Sequence, residues 1–174
     1  MRLTLLTVPS LCLALLAGAG CSRPDPPGIS TEAPPPASVE PANERSVWAS
    51  LRLAAGSSLP ALLKAEVEKA KQKNLKPVVY LGATWCKPCV AIKKYQRDPL
   101  MLDAFSGTYI IDIDIDEWKA PDLKPLGFNA GVVPYFYMVD GEGRSTGRTI
   151  TSSVWGEDIP VNMAPPLKAF FLLQ

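Results

Sequence analysis

The sequence predicts an α/β domain in which short apolar strands alternate with amphipathic helices. Three observations support this. A helical face repeats from Leu59 to Ala70, "TYIIDIDID" alternates strictly from Thr108 to Asp116, and a glycine-rich turn follows the apolar run Tyr135 to Val139. The predicted order along the chain is α-β-α-β-(α)-β-β-α. At 174 residues and 47% hydrophobic content, the chain has room for one ordinary domain with appended segments.

The first predicted helix is bounded by clear start and stop signals. Ser58 ahead of Pro60 provides a cap and a first turn, and Asn74 and Pro77 end the helix. A short β-rich run from Val78 to Leu81 follows and leads directly into a pair of cysteines. The apolar residues on the buried face of the helix are Leu59, Leu62, Leu63, Val67 and Ala70.

A second helix is predicted directly after the cysteines. Asp98 and Pro99 then provide a fresh cap and first-turn proline for a further helical segment that ends near Phe105. The alternating segment from Thr108 to Asp116 is the next strand, and a proline-punctuated stretch follows it.

The last third of the chain predicts a hairpin and a helix. An Asp-Gly turn with a further glycine joins the strand Tyr135 to Val139 to a strand from about Arg144 to Ile150. Pro165 or Pro166 is predicted to open a final helix that runs through Leu173, because proline is favoured in a first helical turn.

The charge of the chain is nearly balanced. Lysine and arginine total 18, against 17 aspartate and glutamate residues, for a formal net charge of +1. Such a chain has no excess positive charge to attract phosphate backbones or anionic membrane surfaces. We therefore expect no nucleic-acid partner.

The N-terminus is predicted to be an export signal over residues 1–20. Arg2 precedes an apolar run from Leu3 to Leu16, which Pro9 interrupts, and small residues follow. A retained membrane-spanning helix is the weaker alternative, because the uninterrupted apolar part is shorter than the roughly 20 residues that a bilayer requires. Either reading places the folded domain outside the cytoplasm.

The small residues at 17–20 lead into Cys21, and this pattern resembles the lipobox of bacterial lipoproteins. The resemblance implies that Cys21 becomes the lipidated first residue of the mature protein, although Gly18 stands where the family usually has leucine. Cleavage by the ordinary signal peptidase, which would leave Cys21 as a free thiol, stays open. Ser22 after the cysteine implies, by the family's sorting habit, the outer rather than the inner membrane.

Residues 21–45 are predicted to be a proline-rich tether. The segment from Ser22 to Glu44 contains seven prolines and almost no large apolar residue. It cannot bury enough surface to offset the entropy of ordering, so it should be extended. Residues 46–174 are assigned to the folded domain.

The segment "WCKPC", Trp85 to Cys89, lies where a strand passes into a helix. The first turn of a helix offers unpaired N–H groups and the positive end of the dipole, which favour a thiolate at Cys86. Cys86 is therefore the expected nucleophile. Cys89, one turn later on the same face, is the expected resolving thiol.

The residues around the two cysteines support this reading. Lys87 adds a cation beside the forming thiolate, and Pro88 fits a first helical turn without loss of a hydrogen bond. Trp85 is expected to cover one side of the sulfur pair. These three residues are the predicted active-site support.

Cys86 and Cys89 could also bind a metal or form a purely structural disulfide. Zinc needs two more ligands, and the chain has no histidine and, after removal of the signal, no further cysteine except Cys21. A purely structural disulfide would close so short a loop that it contributes little chain entropy. Copper binding by the two thiols stays open as an alternative. We predict no resident metal and no cofactor.

Trp85 to Cys89 after a strand, with Val133-Pro134 opening a later strand, resembles the thioredoxin superfamily. The resemblance covers about Leu59 to Phe171. It implies the thioredoxin fold, a central mixed β-sheet of four to five strands flanked by helices. It also implies that Pro134 is cis and packs against the cysteines, with the Val133 backbone free to pair with a substrate strand.

Within that superfamily, three further segments look most like the C-terminal domain of the envelope disulfide reductase DsbD and its single-domain relatives. These segments are Lys76-Pro77 before the strand, the region from Tyr95 to Pro99, and the glycine-rich hairpin that follows Tyr137. The resemblance implies a reductase.

One position departs from the family pattern. Many thioredoxins carry a buried aspartate six residues before the first cysteine, where this chain has Tyr80. A phenol is a poor base at neutral pH. Asp112, Asp114 and Asp116 are the nearest acidic cluster, but we expect a solvated strand face there and assign them no catalytic role.

The expected function is that of a cell-envelope thiol-disulfide oxidoreductase on the periplasmic side. Its expected partners are protein disulfides and an external electron donor such as a membrane thiol reductase, and we expect a monomer. The alternative is a copper-binding or chaperone-like module that uses Cys86 and Cys89 as ligands.

Overall fold

The computed structural model describes residues 46–173. The predicted export signal at 1–20, the lipidation of Cys21 and the tether at 21–45 lie outside the described residues and stay predictions. Within 46–173, no helix is long and apolar enough to cross a membrane.

Five strands and five helices make up the domain, with 3₁₀ turns at Lys124–Leu126 and Ser152–Val154. The strands are β1 (Val47–Leu51), β2 (Lys76–Gly82), β3 (Thr108–Asp114), β4 (Tyr135–Val139) and β5 (Ser145–Thr151). The helices are α1 (Leu59–Gln72), α2 (Lys87–Lys94), α3 (Pro99–Ala104), α4 (Ala120–Leu123) and α5 (Pro160–Leu172).

The strands form one mixed sheet in the order β1-β3-β2-β4-β5. β1 and β2 both run parallel to β3, whereas β4 is antiparallel to both β2 and β5. The parallel pair β2 and β3 needs a crossover, which α2 and α3 provide, whereas a tight turn joins β4 to β5. This is the thioredoxin fold with five strands, so the predicted fold class is confirmed.

The two faces of the sheet carry two separate cores, because side chains alternate along each strand. On β2, Val78 and Tyr80 belong to the core beneath α2, α3 and α5, whereas Val79 and Leu81 belong to the core beneath α1 and α4. Ile110 on β3 lies on the same face as Tyr80. Cys86 and Cys89 therefore lie on the face that α2 covers, together with Tyr80.

The predicted starts of two helices are confirmed. Ser58 occupies the N-cap position of α1, although its hydroxyl makes no capping hydrogen bond, and Pro60 lies in the first turn. Asp98 caps α3, where its carboxylate accepts a hydrogen bond of 2.9 Å from the Leu100 N–H. α1 ends at Gln72, and Asn74 beyond it has a φ of 54°. Residues at the start of each helix mark both positions, so these starts could be predicted without knowledge of the tertiary fold.

Strand β1 was not predicted. The predicted domain includes "VWASL", Val47 to Leu51, but no strand is predicted there because the segment lacks a clear alternation. The segment pairs with β3 from Val47 opposite Tyr109 to Leu51 opposite Ile113. Its strand conformation depends on that partner, which lies about sixty residues further along the chain, and not on its own pattern.

The predicted start of the last helix is wrong. α5 begins at Pro160, and Pro165 and Pro166 lie inside it. Each interior proline removes one helical hydrogen bond, so propensity alone favours a start there. Tertiary packing overrides that preference, because α5 buries a continuous apolar face. The buried residues are Met163, Ala164, Leu167, Phe170 and Phe171.

Candidate active site

Cys86 and Cys89 lie at the junction of β2 and α2 and form a disulfide, with their Cα atoms 5.2 Å apart. Cys86 is the N-cap of α2, and its Sγ accepts a hydrogen bond of 3.3 Å from the Cys89 N–H. The predicted position at a helix N-terminus is confirmed. In the reduced pair, the same N–H and the helix dipole stabilise a thiolate on Cys86.

The two sulfurs differ in their surroundings. Cys86 is 5% exposed and Cys89 is 2% exposed, so both are shielded and Cys89 lies slightly deeper. Trp85, at 64% exposed, stands beside them, and its Nε1–H donates to Asp116 Oδ2 at 2.8 Å. Lys87 is exposed at the first residue of α2, next to Cys86. Both cysteines are therefore shielded, and the neighbouring Trp85 indole is oriented by Asp116.

The Val133–Pro134 peptide bond faces the disulfide and is cis, as the resemblance implies. Cys86 Sγ lies 3.5 Å from the Val133 carbonyl oxygen. An oxidised sulfur carries no proton, so this separation is a contact and not a hydrogen bond. None of the main-chain hydrogen bonds found within residues 46–173 uses the Val133 N–H. A substrate role for Val133 and Pro134 stays a prediction.

A crevice of about 270 Å³ lies beside Cys89. It is formed where α2 crosses the ends of β1, β2 and β3. The residues that line the crevice include Arg52, Tyr80, Gly82, Cys89, Lys93 and Asp112. The crevice therefore brings Cys89 together with Tyr80 and with the charged side chains of Arg52, Lys93 and Asp112.

Tyr80 is fully buried, and its hydroxyl has no hydrogen-bond partner within the described chain. Burial raises the pKa of the Tyr80 phenol far above its ordinary value, and the charges of Asp112 and Asp114 raise it further. A Cβ built on Gly82 would lie 2.7 Å from Tyr80 Cε1, so glycine is required there to make room for the ring. Tyr80 stays neutral and is not a base.

The expectation of a solvated acidic face is wrong for Asp112. Its side chain is only 13% exposed and forms an ion pair with Lys93. It also accepts a hydrogen bond of 2.9 Å from Ser50 Oγ. The Lys93 ammonium lies 5.4 Å from the centroid of the Tyr80 ring. Asp112 therefore belongs to the crevice, because the turn of α2 with Lys93 covers the end of β3.

The other two aspartates have different roles. Asp114 Oδ1 accepts a hydrogen bond of 2.8 Å from the Asp116 N–H, which forms a turn directly after β3. Asp116 is exposed and orients Trp85. The strand was predicted to reach Asp116, but it ends at Asp114 because this turn begins there.

Sequence reasoning did not assign Asp112, Asp116 or Lys93 to the site. The alternation of β3 does place Asp112 and Asp114 on one face. The alternation does not show how β3 pairs with β2. In that pairing Asp112 stands opposite Tyr80 and Asp114 opposite Gly82. Lys93 reaches the same point from α2, and only the packed fold shows this.

No family model and no curated protein matches this chain. Among solved structures it is similar to thioredoxin f from spinach chloroplast in its short form, with 19% identity and a TM-score of 0.40 over 60% of this chain and 80% of that chain. It is also similar to reduced thioredoxin pre-protein from Schistosoma mansoni, with 19% identity and a TM-score of 0.42 over 71% and 98%. A mutant thioredoxin from Halobacterium salinarum matches at 14% identity and a TM-score of 0.42 over 75% and 95%. Likenesses of this size say nothing about substrates or partners.

The geometry defines what the site can do chemically. Cys86 caps a helix, and its sulfur borders the loop that contains the cis-proline. Cys89 borders a crevice that also contains the Asp112 carboxylate. A cysteine pair that forms a disulfide at a helix N-terminus has the chemistry for thiol-disulfide exchange. Within residues 46–173, no group of three or more histidine, cysteine, aspartate or glutamate side chains is arranged to hold a metal ion.

Proposed function

We propose that this protein is a cell-envelope thiol-disulfide oxidoreductase that reduces disulfides of envelope proteins through Cys86 and Cys89. The observation that supports it most is the position of Cys86. Its sulfur caps α2, accepts the Cys89 N–H and lies 3.5 Å from the Val133 carbonyl oxygen. A nucleophile is stabilised, a resolving thiol is adjacent, and a main-chain edge is available for an extended substrate segment.

The reaction cycle follows from these positions. The Cys86 thiolate attacks a substrate disulfide, so a Cys86–substrate bond forms, the substrate S–S bond breaks, and the released sulfur takes a proton from solvent. Cys89 then loses its proton and attacks Cys86 Sγ. This step closes the Cys86–Cys89 disulfide and releases the second substrate thiolate. Two electrons pass from the pair to the substrate.

The direction of electron flow is part of the proposal. Lys87 stabilises the reduced thiolate and by itself favours oxidising power. Pro88 between the cysteines and the resemblance to the DsbD-type domain support a reductase. Each turnover leaves Cys86 and Cys89 oxidised, so the cycle needs a source of two electrons. We propose that an external dithiol donor, such as a membrane thiol reductase, restores the Cys86–Cys89 dithiol.

Trapping of mixed disulfides tests the mechanism. Cys86→Ser should abolish reduction of insulin disulfides, whereas Cys89→Ser should accumulate a covalent Cys86–substrate adduct visible as a mass shift that dithiothreitol removes. Cys21→Ser is the matched control, because residue 21 lies outside the predicted site whether or not it is lipidated, so the variant should keep full activity. Normal insulin reduction by Cys86→Ser would refute the proposed function. Tight stoichiometric copper binding without any insulin reduction would favour the copper-binding alternative instead.

The envelope location rests on the N-terminal sequence. We propose that Cys21 is lipidated and that the tether at 21–45 holds the domain on the periplasmic side, at the outer membrane. In a bacterial host given a labelled fatty acid, the wild-type protein should incorporate the label and sediment with outer membranes, and Cys21→Ser should not be labelled. An unlabelled wild-type protein with a free Cys21 thiol would contradict the anchor and would leave the redox proposal untouched.

A further inference from the structure

Resolution of the mixed disulfide requires a proton acceptor for Cys89. The Cys89 side chain is 2% exposed, and a buried thiol resists ionisation because an apolar environment disfavours the thiolate. Reference thiols titrate near pH 8.5, so Cys89 is a thiol at neutral pH before it attacks. Some group near Cys89 must take this proton if resolution is to be fast.

Tyr80, at the position where related proteins carry an acid, cannot be that acceptor. Its phenol is fully buried, has no hydrogen-bond partner and stays protonated. A neutral phenol has a proton to donate and no charge with which to accept one. The acceptor must come from another element that borders the crevice.

The charged and titratable groups that face the crevice come from four elements. Arg52 follows β1, Tyr80 lies on β2, Asp112 and Asp114 lie on β3, and Lys93 lies on α2. Arg52 and Lys93 are cations and accept no proton. Asp112 and Asp114 are the two carboxylates, and Asp114 Oδ1 accepts the Asp116 N–H in the turn after β3. Asp112 is the stronger candidate, because the two groups that hold its carboxylate, Lys93 and Ser50, themselves line the crevice.

Asp112 also has the position that the role requires. It stands opposite Tyr80 in the parallel pairing of β2 and β3, on the face that α2 covers. Lys93 and Ser50 fix its carboxylate at the crevice wall. The crevice of about 270 Å³ has room for several water molecules between this carboxylate and Cys89.

Resting on the proposed function, we propose that Asp112 accepts the Cys89 proton through water in the crevice and that Lys93 positions Asp112. In this step the S–H bond of Cys89 breaks and a water molecule takes the proton while passing one of its own to the Asp112 carboxylate. The Cys89 thiolate then attacks Cys86 Sγ, the new S–S bond forms, and the substrate thiolate leaves with its electron pair. Protonated Asp112 returns its proton to solvent before the next cycle.

The test separates the two chemical steps in single-turnover experiments with the whole mature protein. Reduced protein is mixed with a disulfide peptide, quenched with acid and analysed by mass spectrometry, which counts the mixed disulfide and the oxidised protein. Asp112→Asn should leave the attack by Cys86 unchanged. At pH 7 it should slow resolution by roughly 10²-fold, the lower end of what general-base groups contribute. The defect should shrink above about pH 9, where hydroxide takes the proton.

Three further variants make the test specific. Asp103→Asn breaks an exposed ion pair with Lys168 and is the matched control, so its resolution rate should equal that of the wild type. Asp112→Glu keeps a carboxylate and should restore most of the rate. Lys93→Gln should slow resolution without changing the attack by Cys86, because it removes the cation that holds the Asp112 carboxylate at the crevice wall. The Lys93→Gln result stands even if Asp112→Asn does not fold.

Two outcomes would overturn the inference. The first is a resolution rate and pH profile in Asp112→Asn or Lys93→Gln that match those of the wild type. The second is slow resolution in Asp114→Asn combined with normal resolution in Asp112→Asn. A wild-type protein that reduces no disulfide would overturn the proposed function itself. The two failures are therefore distinguishable, because the first leaves wild-type turnover intact.

Discussion

Tyr80 and Tyr109 occupy opposite faces of the central sheet and have opposite surroundings. Tyr109 is 3% exposed, and its hydroxyl donates to Glu66 Oε2 at 2.5 Å. Glu66 in turn accepts from Lys69 at 2.7 Å, so the whole group is paired. Tyr80 is completely buried and its hydroxyl has no partner within the described chain.

The Tyr109 hydroxyl makes a hydrogen bond that stabilises the fold, whereas the Tyr80 hydroxyl has no such bond and belongs to a residue that lines the crevice. A buried polar group without a partner costs free energy, and folded proteins rarely keep one without a reason. Tyr80 borders the crevice beside Cys89, where water can reach polar groups, whereas Tyr109 lies under α1. Trp118 Nε1 on the face beneath α1 is also unpaired, so the difference concerns the two tyrosines and not the whole faces.

Removal of the Tyr109 hydroxyl should have the larger effect on stability. Tyr109→Phe leaves the buried Glu66 carboxylate without one of its two donors, and hydrogen bonds to charged groups contribute about 2 kcal/mol. We expect the free energy of unfolding to fall by about that amount in urea titrations, with an unchanged denaturant slope. Insulin reduction should stay normal, because Tyr109 lies on the face of the sheet away from the cysteines. An unchanged stability would mean that the Glu66 pair is not structural.

Removal of the Tyr80 hydroxyl should have the smaller effect. Tyr80→Phe deletes a group that makes no hydrogen bond, so the free energy of unfolding should stay within about 0.5 kcal/mol of the wild type or increase. The pH profile of disulfide resolution should also stay the same. A clear change in that pH profile would show that the Tyr80 phenol takes part in proton transfer, which would contradict the assignment of Asp112 as the proton acceptor.

Local signals in the sequence predicted a large part of the fold. The bounds of β4 match the prediction, because an Asp-Gly turn fixes the hairpin after Val139. The starts of α1 and α3 could be predicted from Pro60 and Asp98, because these residues are also local signals in the sequence. β1 depends on a partner strand far away in the chain, and packing of the apolar face of α5 carries that helix through Pro165 and Pro166. Local patterns revealed neither feature.

The same division holds for the site. The pair Cys86 and Cys89 and the helix start between β2 and α2 could be predicted, because motif and position are contiguous in sequence. Asp112 could not be placed, because its role depends on strand pairing with Tyr80 and on the approach of Lys93 from α2. The alternation of β3 showed which face Asp112 shares with Asp114 but not what covers that face.

The reduction potential of the Cys86–Cys89 pair tests the central claim most directly. It is measured by equilibrating the protein with defined glutathione or dithiothreitol mixtures and counting free thiols by mass spectrometry. We expect a potential between about −200 and −270 mV, the range from glutaredoxins to thioredoxin, because the proposal assigns the pair to reduction. A value near about −120 mV, typical of a strong thiol oxidant, or a pair that does not equilibrate with either buffer, would contradict the account.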